Sequence, residues 1–291
     1  MVHPDDLILI SVDDHVAEPA DMFDAHVPGR WKHLAPRVVT DDNGVQQWWY
    51  GDVKGRNLGL DAVAGKPPET FIVDASRYDE MRPGCDDVHE RVRDMNAGGQ
   101  LAGLNFPNFT GFSGRVLNQG PDPDVNEVMI KAYNDWHVDE WCGAYPGRFI
   151  QCGILPLFDV ERAAAEVRRL AARGFHAATF SENPEALRMP SIHSGYWDPL
   201  FAACCDTGTV LCCHLGSSSR SSPGRSTACP TTSSPRSRTR TRCGTTGSTR
   251  SHTDRRTGAP RPRCAPIRPT STWSRGSAAA PTNATSRRGA G

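Results

Sequence analysis

Asp13 and His15 stand two residues apart at the end of the apolar run 7–12 (LILISV), and His214 closes a second apolar run, 209–214 (TVLCCH). Side chains alternate along an extended strand, so Asp13 and His15 share one face while Asp14 points away. A carboxylate and two imidazoles are ligands that suit a divalent cation. Three protein ligands leave a position free for water or substrate, which is the catalytic arrangement rather than the closed structural one. Taken singly, an Asp-x-His pair is also a common loop hydrogen-bond arrangement and a strand-ending His is commonly structural. Their joint meaning depends on whether the two runs end at the same place in the fold.

The order of elements bears on that question. The run 7–12 reads as a buried strand, with a helix able to follow from Pro19. Residues 38–72 read as an insertion, in which Asp42-Asn43-Gly44 marks a hairpin and 46–51 (QQWWYG) its returning strand. A helix over 86–96 closes at Gly98-Gly99, and 101–106 (LAGLNF) is a second core strand. A long helix over 124–141 precedes the third strand, 149–155 (FIQCGIL). Asp159 caps the next helix, which stops at Gly174; strand 176–180 (HAATF), helix 196–206 and strand 209–214 complete the pattern. Strands alternating with helices imply parallel βαβ units. Short strands ending in polar groups, with no Gly-rich phosphate loop after the first, favour a (β/α)8 TIM barrel of which about five units are present. Barrel strands deliver their carboxyl ends to one mouth, where Asp13, His15 and His214 would meet.

Composition changes abruptly near Gly216. Residues 1–216 hold 18 Lys+Arg and 32 Asp+Glu, whereas 217–291 hold 15 Arg and a single acid, Asp254. The later segment has only Ile267 and Trp273 as bulky apolar residues, too few to offset the entropy of ordering a chain, so it is expected to be a disordered Arg/Ser/Thr/Pro-rich tail. Its residue types are those of a G+C-rich coding region read out of frame, and a frameshift after Gly216 explains the join. A basic nucleic-acid-binding arm, centred on 234–242 (SPRSRTRTR), and the inactive product of a decayed gene are the other readings.

The acidic first segment argues against a specific nucleic-acid partner. The N-terminus has no basic stretch and too short an apolar run for a signal peptide or membrane span, so a cytoplasmic protein is expected. Ten cysteines occur without any CxxC spacing, and the early ones read as buried thiols.

The stretches 10–19 (ISVDDHVAEP), 133–157, 180–184 (FSENP), 191–200 (SIHSGYWDPL) and 210–216 (VLCCHLG) resemble the amidohydrolase-related, metal-dependent TIM-barrel hydrolases and decarboxylases, the branch with aminocarboxymuconate-semialdehyde decarboxylase and the dihydroxybenzoate decarboxylases. The resemblance covers 1–216. It implies that Asp13 and His15 are the first-strand metal pair, that His214 is the ligand after the fifth strand, and that the cofactor is Zn or another divalent metal such as Mn. It implies a small carboxylate-bearing or aromatic substrate and a homo-oligomer. The family's later histidine and its aspartate after the eighth strand have no counterpart, since Asp254 lies in SHTDRR without a preceding strand; impaired activity is therefore expected. Glu182, after the fourth strand, binds substrate or holds a ligand, or else caps a helix. His193 lines the pocket or is a hydrogen-bonded loop residue. Asn105 and Asn108 are candidates for a substrate carboxylate or for turn formation, whereas His137, within a helix, and His176, at the wrong strand end, are set aside.

Overall fold

The apolar runs that end in polar residues become parallel strands in the computed structural model, which describes residues 7–218 except 60–61, 71–74 and 121. In chain order the elements are β1 (Leu9–Val16), β2 (Arg37–Thr40), β3 (Gln46–Tyr50), β4 (Val53–Asn57), α1 (Val88–Ala97), β5 (Gln100–Pro107), α2 (Arg115–Asn118), α3 (Pro123–Trp136), β6 (Phe149–Ile150), β7 (Cys152–Gly153), α4 (Val160–Ala172), β8 (Ala177–Ser181), α5 (Asp198–Thr207) and β9 (Val210–His214). β5 lies between β1 and β6, and β8 between β7 and β9, all parallel. Only Gln151 separates β6 from β7, so one interrupted strand passes its pairing from β5 to β8 and strand order follows chain order, as right-handed βαβ units produce.

Aspartate caps fix where the helices start. Asp87, Asp122 and Asp159 each accept two backbone N–H bonds from the first turns of α1, α3 and α4, groups that have no partner within the helix. Downstream of α4, Gly174 adopts φ +89° and turns the chain toward β8. The buried face of α4 is Ala163, Ala164, Val167 and Leu170, which pack with Phe180, Trp197 and Leu200.

Two expectations for helices are corrected. No helix follows Pro19: residues 20–26 form consecutive turns that bury Met22 and Phe23, and a short 3-10 turn, Gly29–Leu34, comes after them. The helix expected over 124–141 is α-helical only to Trp136 and becomes a π-helical turn at His137–Cys142. Closing that turn from i to i+5 brings His137, Trp141 and Cys142 to one buried face, which an α-helical period would split.

The insertion is a three-stranded antiparallel sheet, β2-β3-β4. Its first turn is held by Asp41 Oδ1, which accepts from Asn43 N and Val45 N, with Gly44 at φ +80°. Trp48 from this sheet stacks on Phe109 at 4.3 Å and so covers the end of β5.

Among the described residues β1 and β9 are terminal strands, and their apolar residues Val12 and Val210 are 64% and 62% exposed. No helix among these residues is long and apolar enough to cross a membrane. The tail was expected to be unstructured from Ser217; Ser217 and Ser218 instead hydrogen-bond to Glu182, and Ser217 is buried. The remaining tail, 219–291, lies outside the described residues.

Asn134 ties these layers together. Its Oδ1 accepts from Ile154 N, and its Nδ2 donates to Ile154 O and Glu166 Oε1, all in the buried interior. Removing a side chain that satisfies a backbone pair and a buried carboxylate leaves those groups unpartnered. Asn134→Ala is expected to lower unfolding stability by roughly 3 kcal/mol in urea titration, against less than about 0.5 kcal/mol for a surface substitution.

Candidate metal centre

A bulge in β1 between Ser11 and Asp14 sets the direction of the acidic pair. Asp14 accepts from the Ser11 hydroxyl at 2.6 Å and from Gln100 Nε2 at 2.8 Å, which engages it with β5. Asp13 and His15 instead come together with His214 from the end of β9. One ligand atom from each of the three lies within 4.8 Å of the other two. His214 Nε2 is 3.0 Å from Asp13 Oδ1, and the two imidazole rings are 4.9 Å apart at 72°.

The second nitrogen of His214 defines its tautomer. Nδ1 is 2.6 Å from the Leu215 carbonyl, which can only accept, so Nδ1 carries the proton and Nε2 is the atom presented to Asp13. A histidine held this way by a backbone carbonyl has the second contact usual for a metal ligand. An ion pair between Asp13 and a doubly protonated His214 would use the same 3.0 Å contact. The additional imidazole of His15 is what turns the pair into a three-donor set suited to Zn, or to another cation that accepts imidazole.

Packing holds the rings. Phe112 lies 4.2 Å from the His214 ring and 4.8 Å from that of His15, and Phe106 lies 4.9 Å from His214. Phe112 is itself fixed by the Thr179 hydroxyl of β8, which donates to its carbonyl. Arg91 of α1 donates from Nη2 to the His15 carbonyl at 2.8 Å and from Nε to the Gly84 carbonyl, anchoring the end of β1. The Asp13 side chain is 71% exposed, so the cluster is open to an incoming ion or substrate. Beside it lies a cavity of about 510 Å3 lined by Leu104, Phe106, Ile150 and Val210 together with Asp13 and His214.

The other residues singled out from the sequence are distributed differently. Glu182, one residue past β8, has both carboxylate oxygens engaged by donors from residues 216–218. His193 is exposed in the turn before Gly195–Trp197, lines neither this cavity nor the neighbouring one, and is not brought to the cluster. Asn105 points to the helical layer, where its Oδ1 accepts from Trp141 Nε1, because alternation along β5 gives the cavity face to Leu104 and Phe106. Asn108 donates from Nδ2 to Leu58 O and lines a second cavity that also touches Asp13 and His15. His176 lines the main cavity without joining the cluster. His137 is a core residue whose burial pushes its imidazole down to about 4, so it stays uncharged.

Sequence reasoning did not single out Glu18. It is buried, and its two oxygens accept from Asn108 N and Phe109 N, so it fixes the loop that follows β5. Burial raises its carboxyl to about 7 despite those backbone donors. The available signal was an acid in the apolar, proline-bounded stretch VAEP directly after a metal-candidate strand.

With this geometry in place, comparison with known proteins gives a family. The amidohydrolase family model matches residues 14–259. The chain belongs to the amidohydrolase family. A crystal structure of an amidohydrolase from Mycobacterium avium subsp. paratuberculosis K-10 is 22% identical with a TM-score of 0.56; the match covers 72% of this chain and 59% of that one. Two further solved structures have TM-scores of 0.43 and 0.41. One is a dihydroxybenzoic acid decarboxylase from Polaromonas sp. JS666 with bound manganese and the inhibitor 2-nitroresorcinol, 16% identical, covering 70% of this chain and 48% of that one. The other is 5-carboxyvanillate decarboxylase from Sphingomonas paucimobilis, 19% identical, covering 70% and 51%. A comparison with curated proteins gave no match. The chain spans 59% of the length of the Mycobacterium relative, whose likeness extends to the fold.

Glu18 gives this member of the amidohydrolase family a defined pH signature. Between 4.5, its ordinary value, and about 7, the folded chain keeps a proton that the unfolded chain has released, so stability falls as pH rises through that window. Glu18→Gln removes the effect: relative to wild type, its unfolding free energy should rise by about 3 kcal/mol between pH 4.5 and 7.5, whatever constant offset the substitution brings. A pH-independent difference in urea titrations would refute this assignment.

Proposed function

We propose that this chain is a metal-dependent hydrolase or carboxy-lyase that acts on a small carboxylate-bearing or aromatic substrate, with a divalent cation, Zn or Mn, held by Asp13, His15 and His214. The observation that carries the reading is the meeting of three ligand atoms within 4.8 Å from the first and last strands of the described residues, with His214 fixed by the Leu215 carbonyl so that Nε2 is offered. When bound, the cation supplies Lewis acidity that polarises a carboxylate, carbonyl or water. The residues of the chain orient and enclose. Phe106 and Phe112 confine the imidazoles, and the apolar wall of Leu104, Phe106 and Ile150 suits an aromatic ring or short unsaturated chain. Asp13 contributes the one carboxylate of the three-residue cluster, which reduces the charge of the site as a ligand. Turnover is expected to be weak, because the aspartate implied after an eighth strand has no counterpart in the sequence. The reading includes a small-molecule partner and, by family resemblance, self-association.

The test is calorimetric titration of the metal-free full chain with Zn2+ and Mn2+, followed by assays of small aromatic carboxylates for CO2 release and of their amides and esters for hydrolysis. One cation per chain is expected. Asp13→Asn and His214→Ala should each weaken binding at least about tenfold, as loss of one of three ligands implies. Equal affinity in wild type and both variants would sink the proposal.

A further inference from the structure

Glu182 sits directly after β8, and its carboxylate gathers the chain that follows β9. Oε1 accepts from Gly216 N at 3.1 Å and from the Ser218 hydroxyl at 2.7 Å. Oε2 accepts from Ser218 N at 3.0 Å and from the Ser217 hydroxyl, while Glu182 N donates to the same Ser217 oxygen at 3.2 Å. Partial burial works to raise the carboxyl, but the serine donors outweigh it and hold the group below the usual carboxylate range. The turn so captured is the one that orients His214: Ser217 N donates to the His214 carbonyl at 3.1 Å, and the Leu215 carbonyl between them takes the His214 Nδ1 proton. Ser181, the residue before Glu182, is the β-ladder partner of His214.

We infer that Glu182 is a positioning residue, which acts through the Gly216-Ser217-Ser218 turn to hold the Leu215 carbonyl against His214 Nδ1 and so presents Nε2 to the cation site. Both of its oxygens are committed to this turn, which distinguishes the role from substrate binding or proton transfer. The inference rests on the cation site proposed above in so far as Nε2 serves a metal. The orientation of His214 itself is a separate observable.

Two variants of the full chain test it, Glu182→Ala and the milder Ser217→Ala/Ser218→Ala, each labelled with 15N-histidine, with the His214 signals assigned through His214→Ala. At one fixed pH wild type should show the His214 Nδ1–H signal of a proton hydrogen-bonded to the Leu215 carbonyl. Both variants should lose that signature, and Zn2+ binding should weaken about 10- to 100-fold, as for other contacts that orient a metal ligand. Combining the three substitutions should cost no more than Glu182→Ala alone, because they break one linkage. An unchanged His214 signature in both variants overturns the inference, even if Zn2+ binds wild type through Asp13, His15 and His214. If wild type binds no Zn2+ while the His214 signature still responds, the positioning role stands and the cation site falls.

Discussion

The 3.0 Å contact between His214 Nε2 and Asp13 Oδ1 joins the first described strand to the last, and the rest of the architecture serves to make it possible. Neither group would meet the other by local chain geometry. Their approach requires β1, β5, the interrupted β6/β7 strand, β8 and β9 to follow one another in order with their carboxyl ends on one side, which parallel pairing through intervening helices enforces. The break at Gln151 is part of this, because it lets the same strand pair with β5 on one side and β8 on the other. A carboxylate and imidazoles held this close are compatible with a low-energy site only if a proton or a cation lies among them.

Around that contact the chain uses rigid supports. Aromatic rings confine the imidazoles, a β8 hydroxyl holds Phe112, and Arg91 takes the carbonyl of His15. Glu18 fixes the loop after β5 and Glu182 the turn after β9, so each of the two supporting carboxylates closes a strand-to-loop junction through backbone N–H groups. Ligands tied down in this way lose little further freedom on binding an ion, which is why such contacts matter for affinity.

Much of this was legible locally. Alternation along β1 separates Asp13 and His15 from Asp14, and Asp159 together with Gly174 bounds α4, because caps and strand faces depend on a few neighbouring residues. The turns after Pro19 and the π-helical turn at His137–Cys142 were not legible, since each is a compromise among buried side chains from distant elements. Where Asn105, a candidate for a substrate carboxylate or for turn formation, sends its amide was not legible for a similar reason: its neighbours in β5 own the cavity face, and only the packing of Trp141 reveals it. Glu18 carries no motif of its own. Its importance comes from burial and from two N–H groups remote in sequence, and the grip of Glu182 on Ser217 and Ser218 crosses the very point where composition changes.

The most direct measurement is anomalous diffraction at the Zn edge from crystals of the full chain grown with Zn2+. The account predicts one strong peak about 2.0–2.2 Å from an Asp13 oxygen, a His15 nitrogen and His214 Nε2, with Nδ1 of His214 still on the Leu215 carbonyl. A refined structure in which Asp13 and His214 keep their 3.0 Å contact with no anomalous density between them and His15 would contradict it.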